Sequence, residues 1–361
     1  MALVVKASAP GRLDFLNTHQ DYKGLPVVSV AINMRTIVTL QEGDYFQIES
    51  LNTGEGCVFS QLNITGRAFC DYVKAAVVAL EGAGVPVKGL RGVIDSQVPI
   101  GAGMASSAAM LVALIGAAMK LTHREADSSQ VAELAYIAER EILGVPCGRL
   151  DQYGSAYGRV AVIHPTPPVR VEQLDLPHGV FLVLDSGLRH STAEIHPRRQ
   201  AELRAAVDIL KTELGVKSEG YWDLPWATLV DRPDAVERLP SPLRERVLFT
   251  IEMQKSTERA LELLRNKSLA TEEVLRGVGR EMLLQHRLLS ELYDVSLPRL
   301  DRLVEEAVEA GAYGAKLSGA GLGGVVIALT RDRQTADAIA RRTSAERWWI
   351  VKVDEGLRYG D

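Results

Sequence analysis

The segment Pro99-Ile100-Gly101-Ala102-Gly103-Met104-Ala105-Ser106-Ser107-Ala108-Ala109 constrains the fold more than any other stretch of the chain. It follows a short strand, Gly92-Val93-Ile94, and runs into a small-residue apolar segment that ends at Leu121. That order reads as strand, glycine loop and buried helix with hydroxyls at its N-terminus. Glycines let backbone N–H groups approach a ligand, and the following helix turns its positive dipole end to the same point, which suits a phosphate. The loop is not the G-x-G-x-x-G fingerprint, because Ser106 occupies the last glycine position, and no Gly-Lys-Ser/Thr makes it a Walker A loop. Taken alone, the segment also reads as a plain loop capped by serine.

Three further constellations carry chemistry. Gly319-Ala320-Gly321-Leu322-Gly323-Gly324 joins strands Ala315-Lys316-Leu317 and Val325 to Leu329, with more glycine than a hairpin needs. Close approach of a ligand and close packing of backbones both explain the excess. Asp151-Gln152 follows Pro146-Cys147-Gly148, just after a helix expected over about Ser129 to Leu143. That helix has an apolar stripe at Val131, Leu134, Ala135, Ala138 and Ile142, and Glu139 falls on it, where an unpaired carboxylate is costly. Finally, Gly11-Arg12 and Asn17-Thr18-His19-Gln20-Asp21-Tyr22 gather a cation, an imidazole, a carboxylate and a phenol; a solvated loop is the competing reading.

Composition narrows the class. The 361 residues are 47% hydrophobic, enough for two ordinary cores. The 41 Lys and Arg against 46 Asp and Glu leave a net charge of -5 without a like-charged block, which argues against nucleic acid or an anionic membrane as partner. The longest apolar run, Leu111 to Met119, is short of the roughly 20 residues a membrane span requires. No signal-like segment opens the chain, so a cytoplasmic protein is expected. Cys57, Cys70 and Cys147, odd in number and widely spaced, fit neither a disulfide framework nor a zinc site. Residues 3 to 40 read as strands broken by the polar Asn17 to Pro26 segment, and the stretch from Val180-Phe181-Leu182-Val183-Leu184 to about Asp294 is mostly helical by pattern. A helix over Pro298 to Ala310 stops at Gly311. The Pro-rich patch Pro165-Thr166-Pro167-Pro168 lies in a domain boundary placed at 165 to 178, dividing the chain into 1–172 and 173–361.

Ala9-Pro10-Gly11-Arg12 with His19-x-Asp21-Tyr22, the glycine-serine loop and the C-terminal glycine loop resemble, in order, the three motifs of the GHMP kinase superfamily. The galactokinases match best: their signature G-R-V-N-x-I-G-E-H-x-D-Y stands against Gly11-Arg12-Leu13-Asp14-Phe15-Leu16-Asn17-Thr18-His19-Gln20-Asp21-Tyr22. The likeness continues through Tyr72-Val73-Lys74, Pro146-Cys147-Gly148-x-x-Asp151-Gln152, Asp185-Ser186-Gly187-Leu188-Arg189-His190-Ser191, and from His286-Arg287 through Tyr293-x-Val295-Ser296 to Gly324.

The resemblance implies an α+β fold of two domains, mixed sheets with helices, and an active site in the interdomain cleft. It implies an ATP-dependent kinase that phosphorylates the anomeric hydroxyl of galactose or a galactose-like sugar, with Mg²⁺ as cofactor, as a monomer or homodimer. Gly101, Gly103, Ser106 and Ser107 would wrap the ATP phosphates, Phe69 would sit near the adenine, and Ser107 and Glu139 would hold Mg²⁺. Asp151 matches the catalytic aspartate and Arg12 its arginine partner, while His19, Asp21, Thr18, Gly319, Gly321 and His196 fall on the sugar side. Two departures stand out. Thr18 replaces the glutamate that galactokinases place near the sugar's C6, and His196-Pro197-Arg198-Arg199 is a shortened form of a Y-P-x-R-R segment. Loss of that charge suggests a C6-modified acceptor such as galacturonate, or a heptose, as the alternative substrate; a non-catalytic sugar sensor is the alternative class.

Overall fold

The computed structural model describes residues 3–176, 178–189, 192–217, 224, 226–229 and 232–360, leaving aside the side chains of 192–196, 227 and 228. Strands β1 (Val4–Leu16), β2 (Val27–Glu42), β3 (Phe46–Ser50), β4 (Gly56–Phe59), β5 (Leu90–Ser96), β6 (Val160–His164) and β7 (Arg170–Leu174) belong to one sheet. A second sheet holds β8 (Val180–Asp185), β9 (Gly314–Ser318), β10 (Val325–Thr330) and β11 (Trp348–Lys352), in the order β11-β8-β10-β9. The short β12 (Arg358–Tyr359) then returns to pair with β1, so the first sheet runs β12-β1-β2-β5-β3-β4 with β6 and β7 beside β2. Only the β3–β5 pairing is parallel among these described strands.

The helices are α1 (Phe69–Gly82), α2 (Ser106–Leu121), α3 (Ser128–Tyr136), α4 (Leu150–Tyr157), α5 (Thr192–Leu214), α6 (Trp226–Leu229), α7 (Pro233–Glu237), α8 (Leu243–Arg265), α9 (Thr271–Arg287), α10 (Pro298–Glu309) and α11 (Arg333–Ala340). This is the mixed α+β architecture that the family resemblance implies. Successive side chains of a strand point to opposite faces, and in β8 and β10 both faces are covered. Phe181, Val183, Val325 and Ile327 join Leu13, Phe15 and Val28 in a core between the two sheets. Val180, Leu182, Leu184 and Val326 pack instead on Leu300 and Leu303 of α10 and Ile339 of α11.

Local structure departs from the sequence reading in three places. The helix expected over Ser129 to Leu143 becomes α3 and then a π-helical turn, Ile137–Ile142, in which Leu143 N–H reaches back five residues to Ala138 O. Such turns widen a helix and recur at functional sites; here it carries Glu139. Cys57 and Cys70 form a disulfide, contrary to the expectation from spacing. The residues are 13 apart in sequence, yet the fold brings the β4 strand against the start of α1 with Cα atoms 5.1 Å apart. Lastly, Asn17 to Gln20 are not a solvated loop, since none is more than 6% exposed.

The helical region after β8 is the scaffold for that buried segment. Asn17 N–H donates to Gln285 Oε1 at 3.0 Å and its Nδ2 to Gln254 Oε1 at 2.7 Å. Gln20 Nε2 donates to Thr250 O, Lys23 Nζ to Thr250 Oγ1, and Trp226 Nε1 to Lys23 O. Burying polar groups is tolerable when their hydrogen bonds are made inside, and here α8 and α9 supply most of them.

Phe15 of β1 meets Phe181 of β8 edge-to-face, with centroids 5.3 Å apart, and neither ring is exposed. Phe15→Ala removes this contact between the sheets and should cost about 3 to 5 kcal/mol of stability. Chemical denaturation of the two proteins checks it; an unchanged midpoint would mean the sheets are not coupled there.

Candidate active site

Two cavities open between the sheets and meet at a shared wall. The larger, of 670 Å³, is within the usual size of a small-molecule site and is bounded by both glycine loops. On one side the loop before α2 contributes Gly101, Gly103, Ser106 and Ser107. Gly101 and Gly103 take φ of 71° and 70°, which glycine adopts without steric penalty, and Ala105 at 58° turns the chain into α2. The N-terminus of α2 thus faces the cavity with its positive dipole end. Opposite lie Ser318, Gly319, Ala320, Gly321, Gly323 and Gly324 from the β9–β10 turn. Gly321, at φ 91°, lies so close to Val295 that an added Cβ would sit 2.2 Å from its carbonyl oxygen. Phe69 and Tyr72 of α1 line the far end.

Arg12 holds the shared wall together. Its Nε donates to Asp151 Oδ1 at 2.9 Å, a second guanidinium nitrogen lies 2.7 Å from the same oxygen, and Nη1 donates to Gly103 O at 2.8 Å. The Arg12 side chain is 7% exposed and that of Asp151 29%, so the carboxylate is the partner open to a ligand. Neighbouring Gly11 permits the approach of β1 to the loop, where Arg12 N–H donates to Met104 O; a Cβ on Gly11 would lie 2.7 Å from that oxygen.

Glu139, also on the shared wall, accepts from Ser107 Oγ at 2.7 Å and from Gln152 Nε2 at 2.6 Å. Burial first, and then the Asp151 charge, push its carboxyl up, while the two hydrogen bonds pull it down. A cation beside Glu139 would reverse the first two effects. A carboxylate and a hydroxyl on the edge of this cavity are hard oxygen donors of the kind Mg²⁺ accepts, with room left in its shell for water and phosphate.

The smaller cavity, of 290 Å³, is lined by Asp14 of β1, by Thr18, His19, Asp21 and Tyr22 from the β1–β2 connection, by the 145–151 segment, and by Gln200 of α5. His19 faces Ala320 O at 3.0 Å and packs on Tyr293 with centroids 5.0 Å apart. Asp21 accepts from Tyr22 N–H, and burial drives its carboxyl up to about 6. Its other oxygen packs on Gly148, where a Cβ would lie 1.5 Å away, so any larger residue at 148 displaces Asp21. Behind Thr18, Lys316 is fully buried, and that burial pulls its amine down to about 8 against the opposing charge of Asp14.

The structure therefore gathers Arg12, Asp151, Glu139, Ser106, Ser107, Gly101, Gly103, Phe69, Gly319 and Gly321 around the larger cavity, with Thr18, His19 and Asp21 on the smaller. Gly319 borders both, whereas Gly321 borders the larger alone. The His196 side chain and residues His190 and Ser191 lie outside the described residues. Arg199 turns away from the cavity into ion pairs with Glu202 and Asp294 at 2.8 and 2.7 Å. Asp14, Arg140, Gly148, Gln200 and Lys316 were not singled out from sequence as site residues. Of these only Asp14 and Gly148 sit inside motifs the sequence displays; the others come from helices and a strand whose pattern signals packing.

Comparison with known proteins agrees with this geometry. Residues 4–42 match the galactokinase galactose-binding signature, 71–159 the GHMP kinases N terminal domain and 260–347 the GHMP kinases C terminal domain. The galactokinase of Pyrococcus furiosus is 31% identical over 98% of this chain and 99% of its own. That of Mycobacterium tuberculosis is 32% identical over 94% of this chain and 93% of its own. Lactococcus lactis galactokinase complexed with galactose shares the fold, with a TM-score of 0.82 at 22% identity over 98% of this chain and 95% of that one. Full-length similarity of this order, with three family segments in chain order over one shared fold, means that the chain belongs to the galactokinase family of the GHMP kinases.

Proposed function

We propose that the larger cavity takes ATP and the smaller one galactose or a galactose-like sugar, whose anomeric hydroxyl receives the γ-phosphoryl group. The observation that carries this reading is the position of the Arg12–Asp151 pair on the wall common to both cavities. A galactokinase-type sugar kinase, a phosphotransferase acting on a sugar hydroxyl, has to bring two substrates together at one such point. The division of the chain at 172/173 belongs to the same reading; it falls inside β7, the last consecutive strand of the first sheet, a few residues before β8 opens the second.

In this arrangement the Gly101 to Ser107 loop and the start of α2 cradle the phosphates, Ser318 Oγ faces the γ-phosphate, and Phe69 lies beside the adenine. Ser107 Oγ and Glu139 would hold Mg²⁺, which neutralises phosphate charge when bound. The anomeric oxygen attacks phosphorus, the bond from the γ-phosphorus to the bridging oxygen breaks, and ADP leaves. Asp151 orients the attacking hydroxyl and accepts its proton, and Arg12 offsets the charge spread over the transferring group. A loose transition state asks little deprotonation of the nucleophile in advance, so positioning dominates. Asp21 and His19 hold sugar hydroxyls. No helix among the described residues is long and apolar enough to cross a membrane. A cytosolic enzyme fits the use of ATP, and the Cys57–Cys70 disulfide is the feature that speaks against it.

Three outcomes follow. Asp151→Asn should lower kcat for sugar-dependent ADP release by about 10² to 10⁴-fold with ATP affinity retained; a variant within a few-fold of wild type would remove Asp151 from the chemistry. Glu139→Gln should raise the Mg²⁺ concentration needed for half-maximal rate, and an unchanged Mg²⁺ titration would dismiss it as a ligand. Because the Asp21 carboxyl is raised to about 6 by burial, it is ionised above that pH and protonated below it. The kcat/KM for the sugar should therefore fall as pH drops through about 6, and a profile flat to pH 5 would contradict the role given to Asp21.

A further inference from the structure

Resting on the sugar-kinase reading, we propose that Asp14 is a specificity-determining residue: its carboxylate, held by Thr18 with the buried Lys316 charge behind it, accepts a hydroxyl of an uncharged sugar away from the reacting oxygen and excludes an acceptor that carries a carboxylate.

Asp14 is 3% exposed, yet it lines the smaller cavity and not the larger one, whereas Arg12, Glu139 and Asp151 border both. Its place is on the acceptor side, off the path of phosphoryl transfer. Oδ1 accepts from Thr18 Oγ1 at 2.9 Å, while Oδ2 has no hydrogen-bond partner among the described residues. That oxygen is open to the smaller cavity rather than sealed in the core, and a sugar hydroxyl there replaces water as its donor. The neighbouring groups cannot take that part. The single proton of Thr18 is committed to Asp14, and its oxygen accepts from Lys316 Nζ at 2.9 Å. Lys316 Nζ also donates to Asp14 O at 2.9 Å, is fully buried and borders neither cavity. It is a positioning residue that balances the Asp14 charge from behind. Burial drives the Asp14 carboxyl up, and Lys316 and then Arg12 oppose that rise.

This changes what Thr18 means. The signature has asparagine at position 14 and glutamate at 18, and this chain has a carboxylate at 14 and a hydroxyl at 18, hydrogen-bonded to each other. The negative charge is moved by four residues rather than lost. Four carboxylates, Asp14, Asp21, Glu139 and Asp151, line the smaller cavity against Arg12 and Arg140, and Arg12 is already paired. An anionic sugar would enter among like charges, which selects against it.

The test measures ADP release with Mg-ATP and galactose, fucose or galacturonate for the wild type, Asp14→Asn, and Asp14→Asn combined with Lys316→Met, with nucleotide binding as the check on folding. The double variant removes the pair together and so leaves no unbalanced buried charge if the single variant fails to fold. The wild type should use galactose with a kcat/KM at least roughly 100-fold above that for galacturonate. Whichever variant binds nucleotide should raise the KM for galactose roughly 10-fold or more with kcat changed far less. It should also narrow the preference for galactose over galacturonate. Wild-type turnover of galacturonate on a par with galactose overturns the proposal and points to Arg140 as the discriminating group. A variant with an unchanged galactose KM and unchanged preference overturns it as well. Silence on every sugar with nucleotide bound overturns the sugar-kinase reading itself, and the assignment of Asp14 with it.

Discussion

The ion pair between Arg12 and Asp151 is the contact on which the rest of the site depends. One guanidinium ties together three parts of the chain: β1 by its own backbone, the glycine loop through Gly103 O at 2.8 Å, and α4 through Asp151 at 2.9 Å. Arg12 is buried and Asp151 is partly open, so removing Asp151 strands a buried guanidinium, whereas removing Arg12 leaves a carboxylate that water still reaches. The pair also defines where two cavities touch. Its geometry is set by Gly11, whose lack of a side chain lets β1 approach Met104 O closely.

Around this contact the molecule accepts local cost. Asn17 and His19 hold φ of 63° and 66°, a conformation worth about 1 to 3 kcal/mol of strain for residues other than glycine. Both lie in the buried polar segment that places Asp21, and the helices α8 and α9 hold that segment through amide and hydroxyl side chains such as Gln254, Gln285 and Thr250. The helical region that has no chemistry of its own thereby shapes the acceptor side. Glu139 follows the same logic, since a π-helical turn and two hydrogen bonds keep a carboxylate where burial alone would oppose it.

The parts of this design that are local in sequence were legible there. The loop from Pro99, α2 ending at Leu121, the strand pair flanking Gly319 to Gly324 and the misfit of Glu139 on an apolar stripe each follow from spacing within one segment. What was not legible depends on contacts between distant segments. Cys57 and Cys70 read as unpaired because spacing says nothing of where β4 meets α1. Asn17 to Tyr22 read equally well as a solvated loop, because the groups that bury it come from residues 250 to 285. Lys316 read as part of a strand, and its link to Thr18 spans almost 300 residues of chain.

Transfer at this site requires two ligands meeting at one ion pair, and a crystal structure with a non-hydrolysable ATP analogue and galactose bound together tests that most directly. The triphosphate should lie between the two glycine loops with its γ-phosphate against Arg12. The anomeric oxygen should lie within about 2.6 to 3.2 Å of an Asp151 carboxylate oxygen. A sugar bound with its anomeric oxygen turned away from Asp151, or a nucleotide outside the larger cavity, would contradict it.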